Sequence, residues 1–163
     1  MQEQPTAIYP GTFDPFTLGH LDIVERAAPL FGRVIVAISQ NPSKTPLFTV
    51  AERVAMAQEA VSELSGVAVE TFDGLLVAYA ERAGAAVIVK GIRGGEDAAY
   101  EEQMAQMNRD MTGIETVYLS ASPAYRAVSS TLVKEIARFG GTIDRFVPSG
   151  VARMMKERFR DGS

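Results

Sequence analysis

The sequence predicts an α/β fold in which helices cover both faces of a parallel β-sheet. Short apolar runs rich in β-branched residues recur five times along the 163 residues, and a segment with helical periodicity follows each of them. Runs that are apolar along their whole length are typical of strands in a parallel sheet covered on both faces. We therefore expect a Rossmann-like three-layer domain with a five-stranded parallel sheet, and one domain over residues 1–163.

The five predicted strands are short and are bounded by residues that favour turns. In chain order they are TAIY (6–9), RVIVAIS (33–39), GVAVETF (66–72), AAVIVKG (85–91) and ETVYLS (115–120). A predicted helix follows every strand, so the chain is organised as five β-then-α units. No internal repeat or long linker divides the series, and one further helix closes the chain.

Apolar residues spaced three or four apart predict six helices. They are GHLDIVERAAPLF (19–31), a helix opening at Thr49, LLVAYAERAG (75–84), DAAYEEQMAQMNRDM (97–111), SSTLVKEIARF (129–139) and GVARMMKERFR (150–160). The apolar stripe of the first helix is predicted at Leu21, Val24, Ala28 and Phe31. Thr49 followed by Glu52 is a capping-box pattern, and Gly84 suits the position just past a helix end.

Composition excludes several classes of function. The net charge of −4 argues against broad binding to nucleic acid or to anionic membranes. The absence of cysteine excludes disulfides and thiolate chemistry, and a single histidine argues against a histidine-rich zinc site. The polar start MQEQP has no signal-peptide pattern, and no apolar run approaches the ~20 residues of a membrane span. We expect a cytoplasmic protein.

Positive charge is concentrated in segments that follow the strands. These segments are PGTFDPFTLGH (10–20), QNPSKTPLF (40–48), KGIRGGED (90–97) and ASPAYRAVSST (121–131). Three of them carry the cations Lys44, Lys90, Arg93 and Arg126. Because ligands of open parallel sheets bind beyond the carboxyl ends of the strands, these loops should converge on a phosphate-bearing ligand.

The first of these loops raises the question of what the only histidine does. It is neither a Walker A loop nor a GxGxxG loop. Gly11 would let the backbone approach a ligand, Thr12 and Phe13 would offer N–H groups, and Gly19 and His20 would open a helix that favours an anion. The alternative is a tight turn with His20 facing water at an exposed helix start.

Four motifs in order carry a resemblance to a known family. TLGH (17–20) after the YPGTFDPF loop (9–16) resembles the HxGH nucleotidyltransferase signature in its TxGH form, and VSSTLVKE (128–135) resembles the second signature of that superfamily. With NPSKTPLFTVAERV (41–54) and KGIRGGEDAAYE (90–101) between them, the chain resembles bacterial phosphopantetheine adenylyltransferases over essentially its whole length. TxGH alone would be a weak signal, whereas the ordered set is specific.

The resemblance implies a reaction and its partners. ATP and 4′-phosphopantetheine would give dephospho-coenzyme A and pyrophosphate, a step of coenzyme A biosynthesis. Mg²⁺ would be bound mainly through the ATP phosphates, with no metal ligands dedicated by the protein. The family also implies a homohexamer, and neither nucleic acid nor membrane is an expected partner.

The resemblance also assigns site residues. Those implied for phosphopantetheine are Thr12, Lys44, Leu76 and Lys90. Those implied for ATP are Thr12, Phe13, His20, Gly91, Ile92, Arg93, Glu101, Tyr125, Arg126, Ala127, Val128, Ser129, Ser130 and Thr131. The catalytic set is Thr12, His20, Lys44 and Arg93.

The chemistry agrees with this inventory. A phosphate monoester is already an anion at neutral pH, so its attack on the α-phosphorus needs positioning and charge stabilisation but no general base. We interpret His20 as a donor to the α-phosphate. At an exposed helix start, its removal should barely change stability.

Two positions depart from the family pattern. Lys90 stands where the family usually has arginine, and a lysine offers a point charge in place of a bidentate fork. The family motif DFEYE reads DAAYE here, which keeps Asp97, Tyr100 and Glu101 but loses an aromatic at Ala98.

Other interpretations stay open at this point. Lys44 could be a solvated lysine, Arg93 could pair with Glu96 or Asp97, and residues 129–131 could simply cap a helix. Leu75, Leu76 and Tyr79 suit a core, and the four C-terminal cations Arg153, Lys156, Arg158 and Arg160 suit a solvated helix face. A different nucleotidyltransferase, or a silent nucleotide-binding module, would share much of the pattern. The length and the lack of a KMSKS-like loop exclude a class I aminoacyl-tRNA synthetase.

Overall fold

The computed structural model describes residues 3–42 and 44–161, except for the side chain of Glu96. Five β-strands form one sheet. They are β1 (Thr6–Gly11), β2 (Arg33–Ser39), β3 (Val67–Phe72), β4 (Val87–Ile92) and β5 (Glu115–Ser120). Every predicted strand is present, with ends that differ by at most two residues.

Six α-helices connect and follow the strands. They are α1 (Leu18–Ala27), α2 (Val50–Ala60), α3 (Leu76–Arg82), α4 (Gly95–Thr112), α5 (Ser130–Arg138) and α6 (Ser149–Asp161). Short 3₁₀ turns lie at Ala28–Leu30 and Pro123–Tyr125. The Thr49–Glu52 capping box is formed, and Gly84 follows α3 at a φ of +67°, so both predicted helix-end signals are confirmed.

The first helix is shorter than predicted. The α-helix ends at Ala27 and a 3₁₀ turn containing Pro29 replaces its last turn, because proline cannot donate the hydrogen bond that continues an α-helix. The face that α1 buries is also rotated from the predicted stripe. Ile23, Val24 and Ala27 are buried, whereas Leu21 packs only partly against the core.

All four strand pairings are parallel, in the order β3-β2-β1-β4-β5. The predicted Rossmann-like α/β fold is confirmed. The chain runs outward from β1 to β3 on one side and then continues from β4 to β5 on the other. The direction of winding therefore reverses between β1 and β4, and a crevice opens at the carboxyl ends of these two strands.

Alternating side chains of the strands build two cores. On one face, Ala7 and Tyr9 of β1 join residues of α1, α2, α5 and α6. On the other, Ile8 joins Val77, Tyr79 and Ala80, the buried side chains of α3. This two-sided burial explains why the strands are apolar along their whole length.

A buried arginine connects the loops that follow β1 and β2. Arg53 of α2 is fully buried, and its guanidinium donates hydrogen bonds to three backbone carbonyls. The acceptors are the oxygens of Thr12 (2.9 Å), Ser39 (2.9 Å) and Phe48 (3.2 Å). Buried carbonyls need a donor, so this one side chain stabilises three segments at once.

Within the described part of the chain, no helix is both long and apolar enough to cross a membrane.

We expect Arg53→Met to lower the free energy of unfolding by about 3–5 kcal/mol, because it leaves buried polar groups without a partner. Chemical denaturation compared with wild type measures this loss. Arg109→Met is the control, since Arg109 makes an exposed ion pair with Glu115 and should change stability by at most about 1 kcal/mol. Equal effects of the two substitutions would contradict the role given to Arg53.

Candidate active site

A cleft of about 480 Å³ lies at the predicted position, beyond the carboxyl ends of β1 and β4. This volume suits a ligand of nucleotide size. Residues of the loops after β1, β2, β4 and β5 line it, together with the first residues of α1 and α5. The four loops in which the sequence concentrates Gly, polar and basic residues therefore do converge.

The loop after β1 places aromatic rings around the inner end of the cleft. Phe13 is buried and adopts a φ of +53°, a left-handed conformation that is unfavourable for a residue with a side chain. Its ring lies 5.4 Å from that of Tyr9 and 5.5 Å from that of Phe16, measured between centroids. A Cβ at Gly11 would stand 3.0 Å from the Phe13 ring, so Gly11 makes room for this ring.

His20 is partly buried among these rings, and its side chain lines the cleft. The centroid of its imidazole lies 4.9 Å from Phe13, 5.5 Å from Phe16 and 6.3 Å from Tyr9. The expectation of an exposed helix start is therefore wrong. Because the ring packs among aromatic side chains, its removal costs contacts that the sequence pattern did not reveal.

Thr17 and His20 cap the N-terminus of α1 reciprocally. The Thr17 hydroxyl accepts a hydrogen bond from the His20 amide at 3.2 Å, and Nδ1 of His20 accepts one from the Thr17 amide at 3.0 Å. This is a capping box with histidine in the place usually held by Glu or Gln. The His20 amide, which we expected to be free to bind an anion, therefore donates to the Thr17 hydroxyl instead.

This cap determines which ring nitrogen of His20 carries the proton. Nδ1 accepts from a backbone N–H, so in the neutral ring the hydrogen-bond geometry assigns the proton to Nε2. Burial, with a smaller contribution from the Arg93 charge, lowers the pKa of His20 to about 4. At neutral pH the side chain is thus an uncharged donor, and it lines the cleft.

Four of the described residues that line the cleft are cations, and three of these are paired with carboxylates that also line it. Lys90 lies 3.6 Å from Glu101, Arg93 lies 3.4 Å from Asp97, and Lys134 lies 3.0 Å from Asp14. The fourth, Lys44, is exposed and has no carboxylate within 4 Å among the described residues. Of the two partners expected for Arg93, the structure therefore shows Asp97, while the Glu96 side chain lies outside the described residues.

Asp14 connects the loop after β1 to the segment that precedes α2. Its carboxylate is buried and accepts from the amides of Leu47 and Phe48, both at 2.9 Å. The Lys134 ammonium of α5 binds the same carboxylate. Sequence reasoning missed Lys134, although it occupies the last position of the second signature, VSSTLVK.

The N-terminus of α5 faces the cleft. Ser129 caps it by accepting from the Leu132 amide at 3.1 Å, and the Ser130 hydroxyl donates to the Pro15 carbonyl at 2.8 Å. The two interpretations of this motif are therefore compatible, because Ser129 caps the helix while residues 129–131 also line the cleft. The bond from Ser130 fixes this helix end against the loop after β1.

Most residues implied by the resemblance come together. Those that line the cleft are Thr12, Phe13, His20, Lys44, Lys90, Gly91, Arg93, Glu101, Tyr125, Val128, Ser129, Ser130 and Thr131. The lining does not include Leu76, Ile92, Arg126 or Ala127. Their assignment to ligands stays a prediction.

These outlying positions have identifiable surroundings. Leu76 packs partly against the core beneath α3, as the core interpretation expects, whereas Leu75 is exposed. Arg126 and Ala127 are exposed beyond the 3₁₀ turn that follows β5. In this structure Lys134, which comes from a helix, adds charge to the cleft, whereas a contact of Arg126 with a ligand stays a prediction.

The C-terminal helix is only partly the solvated face that its charges suggest. Arg153 and Lys156 form exposed pairs with Glu59 and Asp144. Arg158, in contrast, lies over the Phe48 ring and donates to the Leu47 carbonyl at 3.0 Å. The solvated-face interpretation is wrong for this residue.

Comparison with known proteins places the chain in a family. The family model described as cytidylyltransferase-like matches residues 8–136. This segment includes the five strands and helices α1 to α5, apart from the first two residues of β1 and the last two of α5, and it leaves α6 outside.

Curated relatives match over nearly their whole lengths. A phosphopantetheine adenylyltransferase of Caldanaerobacter subterraneus subsp. tengcongensis is 48% identical over 155 residues, which cover 94% of this chain and 97% of the relative. Proteins of the same name from Rhizorhabdus wittichii and Thermosynechococcus vestitus are 49% and 51% identical over 154 residues, covering 94% of this chain and 93% and 92% of the relatives.

We expect the only imidazole of the chain to stay neutral, with its proton on Nε2, as the pH falls to about 5. Its folded-state pKa of about 4 lies below the ordinary 6.5, so the folded state binds fewer protons between these values. The contribution of His20 to stability is therefore present above pH 6.5 and is lost as the pH falls toward 4. Nitrogen-15 NMR of the ring reports tautomer and charge, and a midpoint near 6.5 would contradict the burial argument.

Proposed function

The chain belongs to the cytidylyltransferase-like family, and we propose that within it the chain transfers the adenylyl group of ATP to 4′-phosphopantetheine. The products are dephospho-coenzyme A and pyrophosphate, in a step of coenzyme A biosynthesis. The observation that carries this proposal is the identity of about half of all residues, over nearly complete lengths, with proteins named phosphopantetheine adenylyltransferase. The converging cleft and its cations support it independently.

The reaction needs charge stabilisation more than proton transfer. An oxygen of the acceptor phosphate forms a bond to the α-phosphorus while the bond to the bridging oxygen of pyrophosphate breaks. The attacking group is already an anion, so no base has to remove a proton. His20 suits this requirement, because a neutral ring that donates through Nε2 can stabilise oxygen charge as it develops.

The cations of the cleft would bind the phosphate groups of the two substrates. Lys44 has no carboxylate partner among the residues that the structure describes, and it would bridge the acceptor phosphate and the α-phosphate. Arg93 lines the cleft together with His20, close enough for its charge to affect the imidazole, and it would bind the ATP phosphates. Lys90 would contact the acceptor, and Thr12 would contact both substrates from the loop after β1.

We assign Mg²⁺ to the ATP phosphates. Mg²⁺ usually keeps several waters and is held by substrate phosphates with one or two carboxylates. The cleft carboxylates Asp14, Asp97 and Glu101 are each engaged by a cation, which suits a metal held chiefly by the nucleotide. When bound, the ion would neutralise charge on the departing pyrophosphate.

A homohexamer in the cytoplasm is part of the proposal. Helix α4 exposes one apolar stripe, formed by side chains that recur every three or four residues: Tyr100, Met104, Met107 and Met111. Contiguous exposed apolar surface of this kind marks protein–protein contacts. The stripe therefore supports association between copies of the chain.

We expect pyrophosphate release only when ATP, Mg²⁺ and 4′-phosphopantetheine are all present. The assay compares ATP with CTP as donor, and tests nicotinamide mononucleotide and glycerol 3-phosphate as alternative acceptors. Adding EDTA, which removes Mg²⁺, tests whether the reaction requires the metal. Turnover with another acceptor and none with phosphopantetheine would assign the chain to a different nucleotidyltransferase, and no turnover with any pair would favour a silent nucleotide-binding module.

We expect His20→Ala to lower kcat by about 10²–10³, the usual effect of losing one donor aimed at developing charge, while the Kd for ATP changes much less. It should also cost about 1 kcal/mol of stability or more, because the bond from the Thr17 amide to Nδ1 and the contacts of the ring are lost, while the Thr17 hydroxyl can still accept from the residue-20 amide. His20→Gln is the control, since glutamine at this position can restore the capping box without the imidazole.

The two His20 variants separate catalysis from capping. Stability should recover in part in His20→Gln, because the capping bond returns without the ring contacts, and kcat should not recover. Steady-state kinetics from pH 6 to 9 and ATP titrations provide the measurements. If only the affinity for ATP falls, His20 binds the ground state and the proposed catalytic role is wrong.

A further inference from the structure

Arg158 of α6 makes three contacts with the end of the β2–α2 loop and the first turn of α2. Its guanidinium lies 5.0 Å from the centroid of the Phe48 ring and donates to the Leu47 carbonyl at 3.0 Å. It also forms an ion pair with Glu52. The three contacted residues all lie between positions 47 and 52, so one side chain holds a short, continuous stretch of the chain.

The same stretch is also bound by Asp14 and Arg53. The amides of Leu47 and Phe48 donate to Asp14, and the Phe48 carbonyl accepts from Arg53. Glu52 accepts from the Thr49 amide in the capping box of α2. Asp14 and Arg53 do not bind the Leu47 carbonyl. Arg158 donates a hydrogen bond to it and so adds to the contacts that hold this stretch.

This anchored stretch ends the loop that carries Lys44. Lys44 is exposed and stands three residues before Leu47, on the loop that connects β2 to α2. At the other end of the loop, Gln40 is bound to β3 through its amide and the Phe72 carbonyl, at 2.9 Å. The reach of the Lys44 ammonium into the cleft therefore depends on both ends of the loop being fixed.

We propose that Arg158 is a positioning residue for Lys44: the C-terminal helix holds the Leu47–Phe48 segment and so sets the lysine for the acceptor phosphate. This inference rests on the proposed function for the role of Lys44. It gives α6, which lies outside the segment matched by the family model, a direct part in building the site.

The test compares Arg158→Met with Arg153→Met. Both replace an arginine of α6, but Arg153 is exposed and pairs with the exposed Glu59 on the surface. We expect Arg158→Met to lower kcat/KM for phosphopantetheine about 10-fold or more, because small misplacements of a positioning group are costly in catalysis. The Kd for ATP should stay within about two-fold of wild type, as should every parameter of Arg153→Met. Arg158→Lys should recover part of the loss.

A double-mutant cycle separates positioning from general loss of structure. In a Lys44→Ala background, Arg158→Met should cause no further fall in kcat/KM, since its effect passes through the lysine. A full additional loss in that background would overturn the proposal, as would unchanged kinetics of Arg158→Met at a temperature well below its Tm.

Amide hydrogen exchange tests the same inference without any substrate. In Arg158→Met the amides of Leu47 and Phe48 should exchange faster, while those of β1 and β4 stay as protected as in wild type. If phosphopantetheine is not a substrate, the kinetic arms fail for wild type as well, and the exchange result still decides whether Arg158 holds the segment. Unchanged exchange at Leu47 and Phe48 would overturn the proposal by itself.

Discussion

The site depends on how the backbone of two loops is kept in place without regular secondary structure. Asp14 and Arg53 do this from opposite sides: the carboxylate accepts from two amides, and the guanidinium donates to three carbonyls. Both side chains are buried, where an unpaired charge would be very costly. Because each charge is compensated by backbone dipoles and neighbouring groups, neither loop can move without exposing buried polar atoms. These buried polar contacts therefore anchor the two loop segments beside the cleft.

The properties of His20 follow from the contacts that surround its ring. The loop after β1 carries Phe13 in an unfavourable backbone conformation, which persists only because its surroundings hold it. The aromatic wall that results both desolvates the imidazole and orients it, while Thr17 occupies Nδ1. One local arrangement thus sets the charge, the tautomer and the direction of the ring. A histidine at the same place in a mobile loop would have none of these properties fixed.

The sequence predicts the fold better than the details of the site. Strand positions and the location of the cleft follow from apolar patterning and from the winding rule of parallel sheets, which are properties of the whole chain. The roles of Arg53, Lys134 and Arg158 depend on partners far away in sequence, and each looks like an ordinary charged residue on a helix. The Thr17–His20 cap was missed because histidine is not the usual residue at that position. Arg126 was assigned to the cleft from its loop alone, and the turn that precedes it leaves it exposed.

The pairing of cations with carboxylates explains how an acidic chain can bind two anionic substrates. Lys90 and Arg93 form pairs in which the carboxylates Glu101 and Asp97 keep some exposure to solvent. Such pairs are worth at most about 1 kcal/mol, so an incoming phosphate can replace the carboxylate at little cost. The carboxylate of Asp14 is only 5% exposed and binds two amides besides Lys134, so this third pair resists exchange. The burial of the partner carboxylate therefore separates the paired cations into two kinds. Lys90 and Arg93 are available to a ligand, whereas Lys134 stabilises the structure of the cleft.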